Sequence, residues 1–470
     1  MKSWLRSISA VGAGLLVGSA AQAQSEPSKH PLEPAGYVQP PSSIPGFSDF
    51  FPAQNPLQVP PAGAGVPANQ PLQYEAEPDI NGKPKVYHEP NTCPWFPVLD
   101  RIIFGDAIFV QPYLNGNYTA WTMRSAQIPF AIATTSVSGL RQGTIGDPDT
   151  RIVLGNSKLD FGTYSGPAIS GGAWFANSDV GLETSYFTLG KQSVSGGVTG
   201  AQFPVLARPF YDTNIGGENV LTISSPGLFS NGSVAYSASS QMWGIDIDAV
   251  FRLANNENSK FDLIVGGKYM RLQEDLYISS SSTGDPINGV INFAGNTYLG
   301  SNTLVVVDGT KTIVQFYGGT VGSRYSYTIG QFTLTGTAKV TLGEEQSTII
   351  GQGQTILNPG VGQSTANGGL TVVGLNNTRR QDDKIAWMPE VGAGVTWSPL
   401  TWASFNLGYN FAYLSRVARP GDQFDRNVNP TLIPASSTYG VPFGSASPSP
   451  RVDTSDMWFS SFNFGITIRF

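Results

Sequence analysis

The chain has 470 residues with 27 Lys and Arg, 33 Asp and Glu, 2 His and 1 Cys, for a net charge of -6. That balance excludes a partner recognised through nucleic-acid phosphates, and a single cysteine excludes an intramolecular disulfide framework. Charged residues reach only 13% against 55 glycines and 11% aromatics, a composition that suits strands, turns and interfacial aromatic rings.

At the N-terminus, Lys2 and Arg6 precede a short apolar core over residues 10–20, and Ala21-Gln22-Ala23 gives a small-x-small site before Gln24. This order predicts a cleaved secretory signal over residues 1–23, with a core too short to span a bilayer. Residues 24–98 hold half of the 34 prolines, including Pro40-Pro41 and Pro60-Pro61, and predict a disordered periplasmic arm. The sharper alternative is that the arm plugs a barrel or touches the cell wall through Phe47, Phe50, Phe51, Trp95 and Phe96. Cys93 lies in this arm, too far from the cleavage site for a lipid anchor.

Residues 99–470 read as one all-β domain, and no stretch after the signal is a spanning-helix candidate. A mean hydropathy of -0.09 fits a membrane barrel, in which lipid-facing and lumen-facing residues alternate and cancel. The predicted strands run from residues 107–121 through 165–175 and 180–189, joined by a tight turn at 176–179. Next, Trp243, Ile245, Ile247, Ala249, Phe251 and Leu253 alternate with Met242, Gly244, Asp246, Asp248 and Arg252. Strands at 261–276, 312–325 and 332–353 follow, then those around Glu390 and Tyr409. In the last, 457–470, Trp458, Phe462, Phe464, Ile466, Ile468 and Phe470 share one face. Short breaks alternate with long Gly-, Ser-, Asn- and Pro-rich segments at 122–158, 190–240, 279–311, 354–382 and 417–455. Short periplasmic turns and long outer loops are the pattern of an outer-membrane barrel. The expectation is a transmembrane antiparallel up-and-down β-barrel of about ten strands (roughly 8–12), with long extracellular loops and both ends in the periplasm. A soluble sandwich or secreted adhesin is the competing class. The partners expected are outer-membrane lipids and, through the last strand and Phe470, the barrel assembly machinery.

His30 and His88 both lie in the arm, so the barrel has no histidine base for lipase or Asp–His protease chemistry and no zinc site. No catalytic residue, metal or cofactor is assigned. Glu183, Asp246, Asp248, Arg252, Lys268, Lys339 and Glu390 are expected on the polar side of strands as a lumenal charge network, with Arg271, Glu274 and Arg324 as further members. A selective narrow channel is the alternative, and Asp246 with Glu390 is the one carboxylate pair considered for glycoside hydrolysis. Trp121, Trp174, Trp387, Trp397, Trp402, Tyr409, Tyr413 and Trp458 are expected in interface girdles, with sugar stacking as the alternative. Asp147-Pro148-Asp149 and Asp382-Asp383 read as solvated turns without the spacing of a calcium loop. Glycine pairs at 171–172, 266–267 and 318–319 lie inside strands, where they permit bends and close packing.

The segment Arg419 to Ser436, RPGDQFDRNVNPTLIPAS, together with residues 207–230, 268–278 and 316–322 in order, resembles the outer-membrane β-barrel protein seven family abundant in planctomycetes. The resemblance covers roughly residues 106–470 and implies an outer-membrane barrel, with no assigned biochemistry and no site residues to carry over. Residues 419–436 are then expected as a structured outer loop, with Arg419 or Arg426 pairing with Asp422 or Asp425. A structural or surface-interaction barrel with large exposed loops, meeting an envelope or cell-surface partner, is the leading expectation. A narrow passive channel for small solutes or ions comes second, and an enzyme third.

Overall fold

The computed structural model describes residues 109–137, 142–176, 178–360 and 362–469. The signal segment, the arm, Cys93, both histidines and Phe470 lie outside the described residues. In chain order the strands are β1 (Phe109–Met123), β2 (Ala126–Thr135), β3 (Arg151–Leu159), β4 (Tyr164–Phe175), β5 (Val180–Thr199) and β6 (Leu206–Asp212). They continue as β7 (Gly217–Ser224), β8 (Phe229–Asn255), β9 (Ser259–Gly284), β10 (Val290–Phe293), β11 (Asn296–Leu299) and β12 (Thr303–Ile329). The remainder are β13 (Phe332–Leu357), β14 (Ser364–Asn367), β15 (Arg379–Trp397), β16 (Ala403–Val417), β17 (Asn427–Val428) and β18 (Ser455–Arg469).

Ten of these close a ring in the order β1-β4-β5-β8-β9-β12-β13-β15-β16-β18, every neighbour antiparallel. Register from Tyr113↔Arg469 to Met123↔Phe459 seals the last strand on the first, so no edge is left open. The turns after β4, β8, β12 and β15 are short and share one end with the start of β1 and the end of β18. At the tightest, Gly330 takes a φ of 58°, which a side chain would strain.

Outward positions carry Leu114, Tyr118, Ile169, Leu182, Ile247 and Val265, all exposed, and many more of the same kind. Rings bound this band. Phe332, Trp397 and Phe405 stack near the short turns, while Tyr186, Trp243 and Tyr269, with Trp387 and Tyr413, lie farther up. Trp387 and Trp397 are ten residues apart on β15, about 25 Å along the axis once strand tilt is allowed for, which matches the apolar band of outer-membrane barrels. Two expected girdle members belong elsewhere. Trp121 and Trp174 share the inward face with Asn117, Thr119 and Ser170, and both line the lumen.

β12 has 27 residues, whereas about 9–11 suffice to span the membrane, so the wall continues far beyond the upper ring. The long connections do not splay from it as exposed loops, and that expectation is corrected. β2, β3, β6, β7 and β17 form a second sheet of five strands. Its Ile128, Ile132, Leu206 and Ile223 bury against the inward residues Val234, Ala238, Leu276 and Ile278 of β8 and β9. Phe210, Val428 and Ile433 bury against Leu304, Val306 and Leu357 of β12 and β13. The connections therefore fold back into the extended barrel as a cap. An apolar wall would otherwise face water there.

Candidate functional site

The lumen below the upper ring carries ions, and alternation puts them there. Lys268 Nζ lies 2.7 Å from Asp246 Oδ1 and 3.1 Å from Glu390 Oε1. Arg324 donates to both Glu183 oxygens at 2.8 and 2.6 Å, and Lys339 Nζ donates to Asp248 Oδ2 at 2.5 Å. Arg252 pairs with Asp262 at 3.0 Å and lies 3.9 Å over the Trp174 ring. Three of these contacts join strands that are not neighbours. Glu183–Arg324 links β5 to β12, Asp248–Lys339 links β8 to β13, and Lys268–Glu390 links β9 to β15, each skipping two strands of the ring. They cross the lumen as staples. Glycines make room: a Cβ on Gly266 would meet Asp248 Oδ1 at 2.2 Å, and one on Gly322 would meet Lys339 Cγ at 2.8 Å.

All seven residues singled out as a lumenal network thus face the lumen, each within reach of an opposite charge. Asp246 and Glu390 share Lys268 between them. Arg271 is a correction. It alternates with buried Met270 and Leu272 and belongs to the outer wall beside Tyr269. Asp262 was missed, although its register opposite Arg252 follows once the β8–β9 hairpin is drawn.

Above the staples the lumen turns apolar. Trp121, Tyr164, Leu189, Met242, Leu272 and Phe316 pack with Ile349, Met388, Leu414 and Phe459 in one buried layer to which all ten barrel strands contribute. Trp121 stacks between Phe187 and Phe459 at centroid distances of 4.8 and 5.3 Å. Met123, Met242, Met270, Met388 and Met457 all belong to this layer, five of the chain's six methionines. A flexible thioether fills irregular gaps where ten converging strands cannot present matched branched side chains. A lumen filled by side chains was expected, but as a charged network and not as an apolar layer. Its signal was methionine recurring at positions in phase with the polar, inward set.

Two buried ion pairs fasten the cap above the plug. Arg419 donates to Glu274 at 2.5 and 2.8 Å, with side chains 6% and 1% exposed. Arg208 donates to Asp308 at 2.7 Å, and Asp308 also accepts from the backbone N–H of Leu370, Thr371 and Val372. The expected pairing within residues 419–436 is corrected. Arg426 pairs with Glu218 at 2.6 Å, Asp425 accepts from the Asn427 N–H and Asp422 from Ser455. The segment lies inside the barrel, so its cations meet the wall and the cap hairpin first. Asp382-Asp383 is likewise no turn but part of β15, with Asp382 paired to Lys384 at 2.7 Å. Among the described residues, no group of three or more His, Cys, Asp or Glu is placed to hold a metal ion.

Glu345 sits just above the upper ring, 1% exposed, with its carboxyl accepting from Ser347. Burial, joined by the nearby charge of Asp382 and Asp383, pushes its pKa up to about 7, while Ser347 and Lys384 pull the other way. The folded state thus favours the protonated acid. Its stabilising effect is full below the ordinary value of 4.5 and is lost as pH rises through about 7, a change of about 3 kcal/mol. Urea midpoints should accordingly fall between about pH 5 and about pH 8, and Glu345→Gln should flatten that loss. An unchanged slope in the variant would remove Glu345 as its source.

The family model described as "Putative beta barrel porin-7 (BBP7)" matches residues 113–470, the barrel from Tyr113 in β1 onward and its cap. The chain belongs to the BBP7 family. It is an outer-membrane β-barrel protein of a porin-like family. No curated protein matches it. Among solved structures it is similar to the outer membrane protease OmpT from Escherichia coli, at 10% identity and a TM-score of 0.35, over 77% of this chain and 98% of that one. The TodX deltaS2S3 mutant, a monoaromatic hydrocarbon channel, is 10% identical at a TM-score of 0.20, covering 76% and 90%. A FadL homologue from Pseudomonas aeruginosa is 9% identical at 0.20, covering 76% and 90%. At such scores none of their activities transfers to this BBP7 chain.

Proposed function

We propose that this protein is a plugged outer-membrane barrel that does not conduct at rest and that holds a rigid cap at the cell surface. The observation that carries this reading is the apolar layer spanning the lumen from Trp121 to Phe459. A dry constriction of this kind blocks ions without a mechanical lid. The cap supports a structural or surface-interaction role, since two buried ion pairs anchor it to the wall. Ile287, Leu299 and Phe443 are exposed on its connections, where an envelope or cell-surface partner would meet it. A narrow solute channel is the second reading, favoured by the polar lumen beneath the plug, and it requires the plug to move. Vesicles carrying the protein should retain small ions as well as protein-free vesicles do; prompt leakage would favour the channel.

Outer-membrane lipids would cover the apolar band, and the assembly machinery would engage the last strand. Deleting Phe470 is expected to lower the inserted fraction severalfold, read from membrane fractions. Normal insertion without it would remove this residue from the assembly signal.

A further inference from the structure

The trans-lumenal staples draw in one side of the lumen and leave the other hollow. The hollow wall is built from β1, β4, β16 and β18, and it carries Asn115, Asn117, Asn406, Asn410 and Asn463. Two cavities, of about 300 and 520 Å³, share Asn117, Ser170, Asn410 and Asn463 and so make one vestibule. Its wide end reaches exposed Lys260 and half-buried Arg469 at the short turns; its inner end stops under Trp121, Met388 and Phe459.

The chemistry of the walls is selective. Glu183, Asp246, Asp248, Asp262 and Glu390 each face Lys268, Arg324, Lys339 or Arg252, so a charged solute seated among them would have to break a pair to be neutralised. Lys260 and Arg469, which have no ion-pair partner among the described residues, stand only at the mouth. The amides of Asn117 and Asn463 have no hydrogen-bond partner among the described residues. Each offers two donors and an accepting oxygen. An apolar ligand would leave those amides unmatched, which costs free energy. What fits is a molecule that both donates and accepts along its length and carries no charge. We propose that the vestibule binds a neutral, polyhydroxylated solute of mono- or disaccharide size, admitted from the short-turn end. The two volumes lie within or near the roughly 300–1,000 Å³ range of pockets that enclose small ligands. The binding does not depend on whether the plug conducts, so it stands or falls apart from the reading above.

The test is calorimetric titration of the full chain in a zwitterionic detergent that has no sugar headgroup. Maltose is the probe, with glucosamine and glucuronate as charged comparators. Saturable maltose binding is expected with a Kd on the order of 1 mM, and at least about fivefold weaker binding in Asn117→Leu and in Asn463→Leu. Neither amide has a partner to lose, so both variants should keep the parent's unfolding midpoint. An absence of saturable maltose binding would overturn the proposal. Equally tight binding of either comparator would overturn the neutral class, and unchanged affinity in both leucine variants would overturn the site.

Discussion

Arg419→Ala is expected to lower stability by about 3–5 kcal/mol and to release the connection over residues 418–454 from the upper barrel. The guanidinium is the one cation paired with Glu274 among the described residues, and both side chains are almost fully buried. Removing it leaves a buried carboxylate with no countercharge, and an unpaired buried charge costs several kcal/mol. Arg419 also donates to the Arg124 carbonyl and precedes Pro420 and Gly421, and a Cβ on Gly421 would lie 1.8 Å from the Gln127 carbonyl oxygen. The backbone approach there is close enough that loss of the anchor should be felt in β2 as well. Limited proteolysis should cut residues 418–454 in the variant and spare them in the parent. The double change Arg419→Met with Glu274→Gln removes both charges and should recover most of the loss. If the single variant matched the parent in both urea midpoint and protease resistance, the buried pair would not be the anchor.

Phe316→Ala strikes the plug itself. Phe316 is fully buried and packs among Met270, Ile349, Ala386 and Met388. Truncating a buried phenylalanine costs about 3–5 kcal/mol, part of it for the cavity left behind. Here the cavity would join the vestibule below, which brings water into a layer that was dry. The variant should therefore lose stability and gain ion leakage together. A loss of stability with vesicles still tight would mean that the cap closes the lumen without the plug.

The membrane half of the fold was legible because lipid imposes alternation, and residues 243–253 and 458–468 carry it with exceptions only at Val250, Phe459 and Ser460. Above the upper ring the rule lapses. Residues 279–282 are four serines in a row, so both faces of β9 read as loop although the strand continues to Gly284. Apolar residues over 128–133 then looked like part of an exposed connection, because nothing local reveals that a second sheet fills the barrel. The charged lumen was legible by face but not by partner. Glu183 meets Arg324 only because closure of the ring sets β5 across from β12, and that is a property of all ten strands together. Trp121 illustrates the opposite lapse. Its phase with Asn117 and Thr119 already placed it inward, and its type alone suggested a girdle. The methionines were legible in the same way, by phase rather than by residue class.

Single-channel recording of the wild-type protein beside Phe316→Ala in planar bilayers tests the plugged barrel most directly. The wild type should give no conductance steps across the accessible voltage range, and the variant should give discrete ones. Steady wild-type steps that Phe316→Ala leaves unchanged would contradict a lumen closed by the apolar layer.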